Sequence, residues 1–168
     1  MRFLNDNEMG IRIGQLLTEY GYTLSSAESC TGGTIASMVT AVSGSSAYFK
    51  GAVVSYAVSV KEQVLGVDVS AGVVSESTAL QMAEGAARVL ASDCSVATTG
   101  IAGPGGAEPG KPVGTVCIAA HIPGQTLTRT YCFDGSRDDV ILQAADASLR
   151  LLEELILKKL SKKMKFIL

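Results

Sequence analysis

This chain has no tryptophan, one histidine and only 5% aromatic residues, and just 18% of its 168 positions carry charge. A single histidine, His121, is a poor basis for a metal centre or a histidine-based catalytic triad. No apolar run approaches the ~20 residues that span a bilayer, and the longest, GAVVSYAV and VGTVCIAA, have strand length. Asn5, Asp6 and Glu8 interrupt any secretory signal, which points to a cytoplasmic protein away from membranes. Cys30, Cys94, Cys117 and Cys132 form no CxxC and no zinc-type spacing, so they are expected to be reduced, small and buried. The net charge of −2 argues against a general nucleic-acid binder. Five of the 14 basic residues nevertheless gather in residues 158–168, KKLSKKMKFIL, with no acid among them. That run reads as a helix end whose lysines lie near the negative pole of the helix.

What is present is apolar and small: 47% hydrophobic residues and 18 glycines. A core of this kind excludes disorder, and the length fits one domain over residues 1–168. Met9, Ile13, Leu16, Leu17 and Tyr20 recur at helical spacing, with Asn5 or Asp6 to cap the helix and Gly21 to stop it. Tyr22–Ala27 reads as a strand and Thr34–Val42 as a helix begun within SCTGG. Gly51–Val58 is a continuous apolar strand of the kind covered on both faces, followed by a short helix over Val60–Leu65. Ser75 can cap a helix over Ser77–Leu90. Strands follow at Cys94–Thr98, Val113–Ile122 and Leu127–Phe133, the last two joined by Pro123–Gly124, and a final helix runs from near Ser136 past Leu157. Helices and strands alternate except at that hairpin, so the fold is α/β, three-layered, with a mixed sheet. The small, apolar helices point to self-association into a homo-oligomer.

Two glycine-rich segments invite chemistry. In GIAGPGGAEPGKP, residues Gly105 to Lys111 match GxxxxGK. Pro112 then stands where the magnesium-binding Ser or Thr belongs, and a strand follows instead of a helix, which excludes a P-loop. The loop either offers N–H groups to an anion or is a mobile connection. In Ala27-Glu28-Ser29-Cys30-Thr31-Gly32-Gly33 a strand ends and a helix begins, so N–H groups and a positive helix pole converge there. Ser29 in that turn is either a helix cap or a nucleophile whose developing charge those dipoles stabilise.

A nucleophilic Ser29 needs a base. His121 falls at the far end of its strand, where a surface role is expected. A partly buried lysine, which loses its proton readily, is the alternative. Outside the basic tail there are Lys50, Lys61 and Lys111, and the residues alone do not choose among them. Lys61 follows an apolar strand and lies near Tyr56, although an exposed lysine in the first turn of a helix is the plainer reading. Arg137 opens the last helix; its planar fork suits a phosphate, while pairing with Asp134 or Asp138 is the ordinary alternative.

The motifs AESCTGG, GAVVSYA, GVVSESTA, TTGIAGPGG and KPVGTV, in this order over roughly residues 20–150, closely resemble the CinA C-terminal domain family of nicotinamide-nucleotide amidases. The resemblance implies a three-layer α/β/α sandwich on a mixed five-stranded sheet and a metal-free Ser/Lys hydrolase without a cofactor. By that likeness Ser29 is the nucleophile, Lys61 the general base and Tyr56 a supporting hydroxyl. The N–H groups around Thr31, Gly32 and Gly33 would hold the oxyanion, Thr99 would be a substrate-side or oxyanion contact with Gly100 beside it at the substrate, and Arg137 would clamp the phosphate. The implied substrate is nicotinamide mononucleotide. The family often has a second basic residue four positions after the arginine; here it is Ile141. Many relatives also carry an upstream pyrophosphatase-like domain, so this chain reads as a stand-alone form. The competing expectation is a non-catalytic member that binds a nucleotide or a protein partner in competence or DNA-damage responses.

Overall fold

The computed structural model describes residues 7–165, with side chains through residue 161. Helix α1 (Glu8–Tyr20) buries Met9, Ile13 and Leu17 along one stripe and ends at Gly21, whose φ of 66° a glycine adopts without strain. Its cap is Asn7, which accepts from the Gly10 N–H at 3.1 Å and donates to the Met38 carbonyl at 2.6 Å. Asn5 and Asp6, the caps expected from sequence, lie outside the described residues. The chain then forms β1 (Leu24–Glu28), α2 (Thr34–Thr40), β2 (Phe49–Val54), α3 (Val58–Gln63) and α4 (Glu76–Val89). It continues through β3 (Cys94–Gly100), β4 (Thr115–Ile122), β5 (Gln125–Cys132) and α5 (Arg137–Lys165). Ser75 caps α4 as its sequence suggests, accepting from the Thr78 N–H at 3.1 Å.

The five strands lie in the order β2-β1-β3-β4-β5, with β1 parallel to both β2 and β3 and antiparallel pairing from β3 to β4 and β4 to β5. Side-chain alternation splits the core in two. Val116, Ile118, Ala120 and Ile122 of β4 join the cluster under α1, α2 and α5, while Cys117 and Ala119 face α4. This is the three-layer α/β fold with a mixed sheet.

Two expectations fail for one reason, the position of the sheet edges. The apolar strand is Phe49–Val54 instead of Gly51–Val58, and it is an edge strand, with Val54 47% exposed. Its apolar run reflects strand propensity and partial packing, Phe49 against one cluster and Val53 against the other, whereas β1 and β3 are buried along nearly their whole length. Cys132, on the opposite edge strand, is exposed, while the other three cysteines are buried and all four are free thiols. The basic run continues α5 as far as Lys165, with Lys158 on Glu154 and Lys159 donating to the Pro123 carbonyl at 2.8 Å.

Helix α4 lies close to its neighbours because its inner face is small: Ala79, Ala83, Gly85 and Ala86 are buried. A Cβ at Gly85 would run into the Leu65 carbonyl, a backbone atom that cannot rotate away. Gly85→Ala, although it favours helix, is therefore expected to lower stability by about 1–3 kcal/mol in urea unfolding. A gain in stability would show that the α3–α4 connection yields freely.

Candidate active site

The site grows from the carboxyl ends of β1 and β2. At the end of β1 stands Glu28, fully buried, whose carboxylate collects five hydrogen bonds. Ser26 Oγ (3.1 Å), Thr31 Oγ1 (2.8 Å) and the N–H groups of Gly33 (2.9 Å), Ile35 (3.1 Å) and Ala36 (2.9 Å) all donate to it. Helix α2 has no side-chain cap of its own, because its cap position is Gly33 with φ 104°. Glu28 caps it from the preceding strand, placing a negative charge at the positive end of the helix. That anchor shapes the turn carrying Ser29, which is half-buried and whose N–H donates to the Thr98 carbonyl at 3.0 Å.

Lys61 reaches the same turn. It is 1% exposed, and its Nζ lies 2.9 Å from Ser29 Oγ and 2.5 Å from the Ser55 carbonyl oxygen. Burial holds its ammonium below the usual lysine value of 10.5, partly offset by Cys30. The exposed-lysine reading is thus overturned, because the chain after β2 brings Lys61 back onto the Ser55 carbonyl and Ser29. Lys50 is exposed on β2, and Lys111 sits on the surface beside Glu108 at 3.4 Å. Cys30, next to Ser29, is no rival nucleophile: burial pushes its thiol up to about 11. His121 pairs with Ser95, four residues before the register of Thr99 and roughly 13 Å along the sheet from the Ser29 end. Its ring meets Thr126 Oγ1 at 2.8 Å.

Around this pair the other candidates divide. Arg137 donates to the Gly103 carbonyl at 2.8 Å and to Tyr56 Oη at 3.1 Å, tying the start of α5 to the glycine-rich loop and to the β2–α3 turn. It pairs with neither Asp134 nor Asp138. Tyr56 is 64% exposed, and its hydroxyl meets Arg137, not Ser29 or Lys61. Thr99 is buried and donates to the Val73 carbonyl at 2.8 Å. Gly100 is where a Cβ would meet the Thr115 backbone, so it serves the β3–β4 contact.

The N–H groups expected to hold an oxyanion are also partly committed. Gly33 donates to Glu28 and Gly32 to the Ser29 carbonyl at 3.1 Å. That leaves the Thr31 N–H, which no described residue accepts. The Thr31 hydroxyl lies between Glu28 and Thr98 Oγ1. Ile141 packs against the core beneath α5 and supplies no second cation. The glycine-rich loop is no loose connection at its start, since Ile101 and Ala102 are buried.

Sequence reading missed Glu28 and Ser55. Glu28 stood in plain sight within AESCTGG, and a strand-end carboxylate five residues before a glycine cap was the available signal. Ser55 contributes a backbone carbonyl, which no side-chain pattern reveals. A separate groove of about 610 Å³ opens between α1 and the segment before β2, lined by Ile11, Gly14, Val42 and Tyr48. It contains none of these residues. Among the described residues no three His, Cys, Asp or Glu side chains gather as a metal site requires.

A model of the CinA C-terminal domain matches residues 6–156. The chain belongs to the CinA C-terminal domain family. Among CinA-like relatives, one from Syntrophobacter fumaroxidans is 41% identical over 152 residues, 88% of this chain and 36% of that protein. The chain thus spans about a third of the length of such relatives. Nicotinamide-nucleotide amidohydrolase PncC of Escherichia coli (strain K12) is 41% identical over 150 residues, 86% of this chain and 91% of that protein. Solved structures agree. A competence or damage-inducible protein from Enterobacter asburiae superposes with TM-score 0.86 at 34% identity, covering 89% of this chain and 97% of its own. A competence/damage-inducible protein from Agrobacterium tumefaciens gives 0.85 at 39% identity, covering 89% and 94%. The mixed five-stranded α/β architecture is shared with these CinA proteins.

Within this CinA domain the Glu28 anchor is directly testable. Glu28→Gln turns an amide NH2 toward N–H and O–H donors and removes the charge they stabilise. It is expected to cost about 3 kcal/mol or more in urea unfolding, since hydrogen bonds to a buried charge are among the costliest to break. A loss below about 1 kcal/mol would mean that the turn is held by other contacts.

Proposed function

We propose that this chain hydrolyses the carboxamide of nicotinamide mononucleotide, releasing ammonia and leaving nicotinate mononucleotide, by way of an acyl-enzyme on Ser29. The observation that carries this reading is the contact of Lys61 Nζ with Ser29 Oγ at 2.9 Å, made by a lysine that is 1% exposed. The name of the Escherichia coli relative, an amidohydrolase acting on nicotinamide nucleotide, supports the choice of substrate. Neutral Lys61 has one lone pair and two hydrogens. Its two partners match that form, because the Ser55 carbonyl only accepts and the Ser29 hydroxyl can donate.

Ser29 Oγ attacks the carboxamide carbon while its proton passes to Lys61. The Thr31 N–H, at the turn that opens α2, faces the developing oxyanion. As the carbon–nitrogen bond breaks, its electron pair stays on nitrogen, which takes the proton from Lys61 and leaves as ammonia. Water then attacks the ester, Lys61 again accepts a proton, and Ser29 is regenerated. Arg137 receives the nucleotide phosphate. Two of its five N–H donors are engaged by Gly103 and Tyr56, and the rest serve the ligand. Tyr56 acts by aiming that guanidinium. The second reading, a non-catalytic nucleotide binder, draws on Ile141, which leaves Arg137 without a basic neighbour on the next helical turn.

Because the base must be neutral, activity rises with pH as the depressed Lys61 titrates, on the acid side of 10.5, and then levels off. Ammonia release from nicotinamide mononucleotide, followed from about pH 5 to 10, checks this; folded wild-type protein that releases none would overturn the amidase reading. Ser29→Ala is expected to fold normally and lose activity by about 1,000-fold or more. Lys61→Arg is expected to be equally inactive at neutral pH, since a guanidinium does not deprotonate there.

A further inference from the structure

Lys61 gains a proton when Ser29 attacks, and its surroundings are one acceptor short for the ammonium it becomes. As an amine it gives one hydrogen to the Ser55 carbonyl and its lone pair to the Ser29 hydroxyl, and the N–H left over is neutral and costs little unpaired. As an ammonium it carries three protons, while the Ser29 oxygen and the Ser55 carbonyl accept two. Beside them is an idle hydroxyl: Ser55 is fully buried, and its Oγ has no hydrogen-bond partner among the described residues. A buried hydroxyl left unpaired is costly, so its retention calls for a use.

The backbone puts that hydroxyl within reach. Glu28 pairs with Val54, and the Ser55 N–H donates to the Glu28 carbonyl at 2.9 Å, so Ser29 and Ser55 leave adjacent parallel strands side by side. Val53 packs on the face that holds Ala27 and Leu65, and Ser55, two residues on, continues that face. Its own carbonyl already touches Lys61 Nζ. The hydroxyl belongs to that same residue and turns among its staggered positions about a single side-chain bond.

Resting on the Ser29–Lys61 reading, we propose that Ser55 is a positioning residue whose hydroxyl becomes the third acceptor of the Lys61 ammonium during catalysis. No bond to Ser55 forms. The Ser29 proton moves to Lys61 Nζ, the Ser29 electron pair becomes the new oxygen–carbon bond, and Ser55 accepts a hydrogen bond without taking the proton. The hydroxyl is idle in the resting site and engaged when charge develops, which lowers the barrier without tightening substrate binding. The ionisable groups on neighbouring segments are Cys30, which bears on Lys61 directly; Tyr56, whose hydroxyl accepts from Arg137; Glu28, whose carboxylate is turned to α2; Glu62, exposed on α3; and Arg88 of α4, held on the Leu65 carbonyl at 2.7 Å. None supplies a third acceptor.

The test compares wild type, Ser55→Ala and Ser55→Thr for ammonia release from nicotinamide mononucleotide, with an NMR titration of the Lys61 side chain and urea unfolding. Ser55→Ala is expected to lower kcat roughly 10- to 100-fold with little change in KM, and to be at least as stable as wild type. Loss of an acceptor disfavours the ammonium, so its Lys61 titration and the rising limb of its activity both move to lower pH. Ser55→Thr, which keeps the hydroxyl, restores both. Wild-type kcat and an unmoved titration in Ser55→Ala would overturn the proposal, as would an equal loss in Ser55→Thr with the titration unmoved. The titration separates the two readings. A shift in Ser55→Ala without wild-type ammonia release leaves the Ser55 contact standing and sinks the amidase reading.

Discussion

A buried carboxylate organises the end of the sheet that carries Ser29 and Lys61. Glu28 is a charge without a counter-ion, held in the interior by two hydroxyls and three backbone N–H groups. Such a charge is tolerable only where fixed dipoles replace water, and the amino end of α2 provides them. The bargain shapes the chain twice: it starts α2 without a side-chain cap, and it pins the turn between strand and helix. Ser29 inherits a fixed position from that arrangement, as does the backbone that faces it.

The same end of the sheet carries a second uncomfortable group. Lys61 is buried beside a hydroxyl and a carbonyl, with no carboxylate paired to it. Burial makes the charged form expensive, and an ammonium proton left without an acceptor costs more than a neutral N–H. An interior built for stability alone would place an apolar side chain here, and a perturbed lysine of this kind suits the base role proposed for it. Opposite, Arg137 links the glycine-rich loop, the β2–α3 turn and α5 through two hydrogen bonds. The site is thus assembled from segments far apart in the chain and held by few, directional contacts.

Much of this was legible where periodicity and capping act locally. The Ser75 cap, the Gly21 stop and the Pro123–Gly124 hairpin are short-range features, and each lies where its residues indicate. Strand β2 was misjudged because an apolar run states what a strand is made of, not how many neighbours it has. The exposed Cys132 follows from the same ignorance of the edge. Among site residues, Ser29 and the glycine turn were readable from a strand-to-helix junction. The choice among three lysines was not, since burial depends on where α3 comes to rest.

By itself, then, the sequence determined the alternation of helices and strands, the mixed sheet, the poverty of histidine that turns attention to lysine, and the family signature spread along most of the chain. Tertiary structure alone decided which lysine reaches Ser29, that Tyr56 meets Arg137 instead of Ser29 or Lys61, and that Gly33 spends its N–H on Glu28. The reason is physical. Residue type and spacing govern interactions over a few positions, whereas a lowered lysine pKa, an occupied N–H and an idle hydroxyl are made by atoms that only the folded sheet brings together.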